Sequence, residues 1–291
     1  MPRPIRLFLL LISLCAGAHA QVNVNLEVKR RTFIRHEPIL LTVTIQNLSG
    51  RDLILEDGSS QWFGFAVFQG DTQTLIPPRN PDYTLDPLEL KIGETIKRTV
   101  NLVDLFPISE YGIHRVRATI YCKSLDKYFT SRTANLDISE GRTVWKQIVG
   151  VPDTLPHAGE MHEMTLLSAQ GVSHQYLYCR VTHPESGAVL SMNRLGHIVD
   201  GAQFDAQFDA TNTLHVLQLV GPKTYSLTEV GVNGEVYGQW LYDAPKSRPR
   251  LKRDSTGNID VLGGTRRVQI AKDAAPPPKL SDRPAGLPKP R

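Results

Sequence analysis

The side chains best placed to do chemistry lie in one short stretch, His157-Ala-Gly-Glu160-Met-His162-Glu163. Two imidazoles and a carboxylate this close offer a zinc donor set, because neutral imidazole and carboxylate suit that ion. Such a set would support metal-assisted hydrolysis through His157, Glu160 and His162. The spacing is not the helical His-Glu-x-x-His arrangement. Pro152, Pro156 and Gly159 also work against a helix here. Structural zinc normally takes four ligands, so the residues read more simply as a solvated linker. Asp254, Gly257, Asn258 and Asp260 bring hard oxygen ligands together, yet this residue set is also what an Asx turn uses. Ser124-Leu-Asp-Lys127 fits a Ser-x-x-Lys nucleophile string, but it follows an extended segment as a turn and lacks the companion strings. The sequence holds no Gly-x-Ser-x-Gly elbow, phosphate-cradling loop or dinucleotide fingerprint. No cofactor is implied.

These residues must be held by extended segments. Composition, with frequent β-branched and aromatic residues and short Gly/Pro punctuation, favours β structure. From Gly112 the residues His114, Val116, Ala118, Ile120 and Cys122 share one face, while Arg115, Arg117, Thr119 and Tyr121 take the other. That period of two predicts a half-buried strand in an antiparallel sheet. Leu88, Leu90 and Ile92, then Ile96, Val100 and Leu102 beyond the Gly93-Glu94 turn, keep one parity, and Ile39, Leu41, Val43, Ile45 and Asn47 upstream likewise line one face. Residues 21–140 therefore predict seven or eight short strands.

The order strand, Gly-Glu, strand, loop, Tyr111-Gly112, strand resembles the late strands of bacterial immunoglobulin-like sandwiches. In those a Gly-x-Tyr-x-Val pattern opens the penultimate strand, and here His114 stands at the tyrosine position. The resemblance implies an adhesive, spacing or ligand-presenting module.

Residues 141–164 predict a junction strand around Trp145 and Ile148 followed by the His157–His162 linker. Residues 165–270 contain an internal repeat. Asp209-Ala-Thr-Asn212-Thr-Leu214-His-Val216 matches Asp254-Ser-Thr-Gly257-Asn-Ile259-Asp-Val261 at an offset of 45 residues. In each copy an Asp opens a tight turn, Asn or Gly takes the left-handed backbone, and an alternating strand follows. A looser copy holds Leu177, Cys179 and Val181. Arg194-Leu-Gly196 and Val232-Asn-Gly234 are predicted to be equivalent turns. The period resembles β-propeller blades, with room for two to three, too few to close a ring. The fold class expected is all-β: an antiparallel Ig-like sandwich followed by an antiparallel module of blade-like repeats.

Targeting and charge bound the function. Arg3 and Arg6 precede the apolar Leu7–Leu14, and Ala18-His19-Ala20 supplies a small-x-small cleavage pattern between Ala20 and Gln21. The mature protein is thus expected to be exported, periplasmic or secreted, with no transmembrane segment once the signal is removed. Export leaves Cys122 and Cys179, which read as buried thiols in different modules more readily than as a bridge. Of the formal charge of +4, Arg3 and Arg6 supply +2 and the proline-rich tail from residue 271 supplies +3, which leaves the body at about −1, so the basic balance describes no nucleic-acid surface. That tail is expected to be disordered.

The reading favoured is a non-enzymatic envelope protein that binds or presents a protein or polysaccharide partner. The alternatives are the metal-assisted hydrolase and a structural spacer. If aromatic residues mark the contact surface, the candidates are Trp62 and Phe63 and, in the Gln-Phe-Asp-Ala duplication, Phe204 and Phe208.

Overall fold

The computed structural model describes residues 22–58, 60–70, 74–81 and 85–270, with residues 268–270 described by backbone alone. The expected signal segment, with its expected cleavage between Ala20 and Gln21, and the tail from residue 271 lie outside the described residues. What is described is nearly all β.

The first module carries β1 (Val22–Val28), β2 (Thr32–Ile34), β3 (Leu40–Asn47), β4 (Leu53–Leu55), β5 (Phe63–Gln69), β6 (Thr74–Ile76), β7 (Leu88–Leu90), β8 (Thr95–Asn101), β9 (Gly112–Cys122), β10 (Lys127–Thr130) and β11 (Ala134–Ser139). One sheet has the order β1-β3-β8 and the other β2-β11-β9-β5-β6, with β10 also on β9; β4 and β7 form a separate ribbon. Pairing is antiparallel except between β2 and β11, which run parallel.

The alternation seen in the sequence becomes burial. Leu41, Val43 and Ile45 on β3 and Val116, Ala118 and Ile120 on β9 are sealed in one core shared by the two sheets. Asn47 continues the buried line of β3, and its polar groups are all answered. Its Nδ2 donates to the carbonyls of Arg51, Leu90 and Lys91, and its Oδ1 accepts from Ser49. Buried polar groups are kept only when bonded in this way. Ile92, which shares the parity of Leu90, is instead exposed because the strand ends at Leu90 and the turn lifts it away. Beyond β8 the chain forms one helical turn, Leu102–Leu105.

The second module starts at once. β12 (Arg142–Gly150), β13 (Met161–Gln170), β14 (Gln175–Thr182) and β15 (Val189–Ile198) form a four-strand meander. β16 (Asp205–Phe208), β17 (Leu214–Gly221), β18 (Thr224–Val230) and β19 (Val236–Asp243) form a second. The chain then makes a ribbon of β20 (Arg250–Arg253) and β21 (Ile259–Leu262), and β22 (Thr265–Ile270) returns to the edge of β19. β12, read as a junction strand, pairs with β13 over its length as part of the first meander. Gly196, read as a turn, lies inside β15 at φ +119°, where Leu195 bulges out of register. Gly234 does sit in a turn, between β18 and β19.

Two blade-like sheets cannot close a ring, and the molecule covers their faces by layering. Met164, Leu166, Leu177, Cys179 and Val181 of the first meander share a core with Leu214, Val216 and Val230 of the second. The outer face of the second meander is covered by the ribbon, through Leu217, Leu227 and Leu251. The outer face of the first meander meets the first module at Ile34, which packs with Leu167, Ala169, Tyr178 and Met192. Cys122 and Cys179 are free and buried, and burial pushes the Cys179 thiol up to about 12. Among the described residues no helix is long and apolar enough to cross a membrane.

Candidate functional site

The contact between modules is built from a tight turn. After β2 the chain reverses through Ile34-Arg35-His36-Glu37, with the Glu37 amide donating to the Ile34 carbonyl at 3.0 Å. His36 occupies the third position at φ +69°, a conformation that turns normally give to glycine. Holding a non-glycine residue there costs about 1–3 kcal/mol and persists only where the surroundings enforce it.

Glu37 folds back under this turn. It is only 2% exposed, its Oε2 accepts from the Ile34 amide at 3.1 Å, and its Oε1 pairs with Arg30. The Arg30 guanidinium also donates to the Tyr178 phenol across the junction. Burial, then the nearby Glu37 charge, pushes that phenol up to about 12. Replacing one partner of a buried ion pair strands the other, whereas the intact pair adds little net stability. Arg30, Glu37 and Tyr178 therefore act as a positional lock on Ile34. Gly141 completes the seam: a Cβ there would lie 3.0 Å from Leu167 Cβ and 3.7 Å from Ile34 Cδ1, so a larger residue would make Leu167 give way by a few tenths of an ångström.

Ile34 fills its socket but leaves a cleft on either side. The first, about 130 Å³, is lined by Arg30, Phe33, Tyr176, Tyr178, Arg194 and the loop at 170–173. The Arg194 guanidinium lies 3.6 Å from the Tyr176 ring centroid, and Arg30 lies 4.4 Å from that of Phe33. The second cleft, about 150 Å³, is lined by Arg35, His36, Tyr111, Thr143 and Arg180, with Glu140 as its one acid. Burial, followed by the charges of Arg35, Arg180 and Arg79, holds the His36 imidazole below its ordinary value. The Nε atoms of Arg180 and Arg194 are buried without a hydrogen-bond partner.

The residues singled out from sequence fall elsewhere. Trp62 and Phe63 are sealed in the first core at 0% and 1% exposure, with Trp62 Nε1 donating to the Leu85 carbonyl. Phe208 is buried against Trp145 and Phe204 packs on the same core. Trp62, Phe63 and Phe208 are thus core rather than exposed contact residues, and Phe204 is partly buried, because sheet packing takes up large aromatics first. His157, Glu160 and His162 do come together. The Glu160 carboxylate lies between the rings, 3.1 Å from His157 Nδ1 and 3.8 Å from His162 Nε2. His162 is on β13 and buried rather than in a linker, its Nδ1–H donating to the Val232 carbonyl at 2.9 Å. Each imidazole faces a different oxygen of one carboxylate, so the carboxylate stands where a shared ion would. Among the described residues no three His, Cys, Asp or Glu side chains are arranged to hold a metal.

A further polar cluster grows from the first repeat. His215 is 6% exposed, with Nε2 3.1 Å from Asp209 Oδ2 and Nδ1 3.5 Å from Glu229 Oε1. Burial works to raise Asp209, yet hydrogen bonds from His215, Thr213 and Thr211 hold it below the usual carboxylate range. Burial raises Glu229, and His215 only partly offsets this.

The junction residues were missed because their sequence signal is weak. Arg180 and Arg194 sit at alternating strand positions where a charge reads as a solvated face. His36-Glu37-Pro38 reads only as a turn. Comparison of the chain with protein-family models, with curated proteins and with solved structures gives no match.

Proposed function

We propose that this is an exported, non-enzymatic β protein that binds a partner in the cell envelope through the seam between its two modules. The observation that carries the reading is the pair of clefts flanking Ile34, lined from both modules by arginines and aromatic rings, with guanidinium nitrogens left unpaired. Arginine and tyrosine are the residue types that dominate contact energetics at interfaces. Residues that merely held two modules apart would bury apolar surface there instead. The strand orders β1-β3-β8 and β2-β11-β9-β5-β6 support an Ig-like assignment for the first module, in keeping with a ligand-presenting role.

Val172 is 91% exposed on the rim of the first cleft, and Leu262 is 61% exposed on the remote ribbon. A photo-crosslinking residue at position 172 of the secreted protein is expected to give a discrete adduct in native envelope. The same probe at 262 should give none, and the 172 adduct should weaken with Arg194→Ala. Equal labelling at both positions would remove the reading. Turnover by the purified protein on a hydrolase panel would remove its non-enzymatic part.

A further inference from the structure

We propose that the cleft formed by Arg35, His36 and Arg180 binds a single oxyanion group, a carboxylate or phosphate. The inference rests on the junction reading above and names the chemistry that one part of the seam recognises.

Four observations converge on it. The donors are of the right kind: two guanidiniums and an imidazole, with the hydroxyl-bearing Tyr111 and Thr143 also lining the cleft. Arginine presents its donors in a planar fork that matches two oxygens of one anion. Arg79 adds a further positive charge near His36, so the cationic groups outnumber Glu140. Second, these cations are poorly compensated. In the neighbouring cleft Arg30 is paired with Glu37, and Arg194 lies flat on Tyr176. Arg180, like Arg194, keeps a buried Nε with no partner, and Arg35 meets the Tyr111 side chain, its hydroxyl at 3.4 Å and its ring centroid at 5.6 Å, rather than a carboxylate. A buried donor left unpaired carries the full desolvation penalty of that group, which an incoming acceptor relieves.

Third, His36 is held at a positive φ beside the cleft. Strain of this type clusters at ligand-binding positions. His36, at the third position of that turn, lines the cleft. Fourth, the cleft holds about 150 Å³, well below the several hundred of a site for a whole drug-sized ligand. It suits one charged group at the end or edge of a larger partner. Because Arg35, His36 and Tyr111 come from the first module and Thr143 and Arg180 from the second, the bound anion would tie the modules together.

The test uses the secreted full-length protein with histidine-selective NMR. Sodium phosphate and sodium acetate are titrated separately against sodium chloride at matched ionic strength. The expected result is a saturable shift of the His36 ring signal with phosphate, acetate or both, the stronger anion naming the source. Arg180→Gln should weaken that affinity by about tenfold or more, as loss of one charge-assisted pair would. Arg35→Gln, an exposed change that spares the packing, should weaken it as well, while Arg132→Gln on the far surface should not. No saturation with either anion, or undiminished affinity in Arg35→Gln, would overturn the proposal. Should Arg180→Gln fail to fold, Arg35→Gln decides the matter alone. A position-172 adduct that persists without any anion response would sink this inference and leave the junction reading standing. Loss of the adduct with an intact anion response would do the reverse.

Discussion

The two copies of the repeated turn are built alike and end up in different surroundings. In the first, Asp209 Oδ1 accepts from Thr211 N, Thr211 Oγ1 and Thr213 N at 2.8–2.9 Å. In the second, Asp254 Oδ1 accepts from Thr256 N, Thr256 Oγ1 and Asn258 N over the same distances. Asn212 and Gly257 take the left-handed position at φ +60° and +89°. The turns also touch, with the Ala210 amide donating to the Gly257 carbonyl at 2.9 Å. Beyond Oδ1 the likeness stops. Asp209 Oδ2 meets the buried His215, whereas the matching residue of the second copy is Asp260, and Asp254 Oδ2 has only Asn258 at 3.4 Å. Leu214 and Val216 after the first turn are sealed between two sheets, while Ile259 and Val261 after the second lie half-buried on the outermost ribbon. The lesson is that a local motif sets its own hydrogen bonds, and the layer it lands in sets what those bonds are worth.

Substitution of the two aspartates should separate these contributions. Asp209→Ala removes the turn acceptor and strands a buried imidazole, so thermal unfolding should report a loss of about 2–4 kcal/mol. Asp254→Ala removes the same local bonds at an exposed site and should lower the midpoint far less. Equal losses would mean that the turn alone accounts for the effect.

The contact between copies gives a smaller expected effect. A Cβ on Gly257 would lie 2.8 Å from Ala210 Cβ, at a backbone angle that side chains rarely adopt. Gly257→Ala should therefore cost about 1–3 kcal/mol by denaturant unfolding. Asn212→Gly in the first copy eases the left-handed backbone but gives up the Asn212 Nδ2 bond to the Gly150 carbonyl at 2.8 Å, so it should cost about 0.5–1.5 kcal/mol at most. A neutral Gly257→Ala would show that the ribbon moves away freely.

The smallest effect is one of sign. Asp209 is held below its ordinary value, so its contribution is present above that value and fades as pH falls through the depressed one. Glu229 is raised, so between its ordinary and raised values the folded state binds more protons and stability falls as pH rises. Glu229→Gln should consequently raise the unfolding midpoint slightly at neutral pH, with the gain vanishing as pH drops below the ordinary carboxylate value. A midpoint lowered at neutral pH would instead make the Glu229–His215 contact a net stabilising one.

Much of the fold was legible along the chain, because alternation along β3 and β9 is a local property of a strand with one wet face. The turn at Asp209 was legible for the same reason: its acceptor, its left-handed residue and its strand lie within eight positions. The reading failed where burial came from elsewhere. Trp62 and Phe63 look like contact residues until β9 and the loop at Leu85 close over them. The His157–His162 segment looks like a linker until β13 runs through its end. The candidate site was hardly legible, since Arg35 and Arg180 are separated by almost half the chain and neither is marked by its neighbours.

Sequence alone determined the strands, their inward faces, the two aspartate turns and the tight reversal at His36, because each is fixed by residue type and spacing within a few positions. Tertiary structure alone decided that the blade-like sheets stack in layers and that Ile34 plugs one of their outer faces. It also decided that guanidiniums from two modules, Arg35 and Arg180, meet beside that plug. Long-range packing selects among many ways of burying the same apolar faces, and nothing in a strand's own pattern says which face of which neighbour it will find.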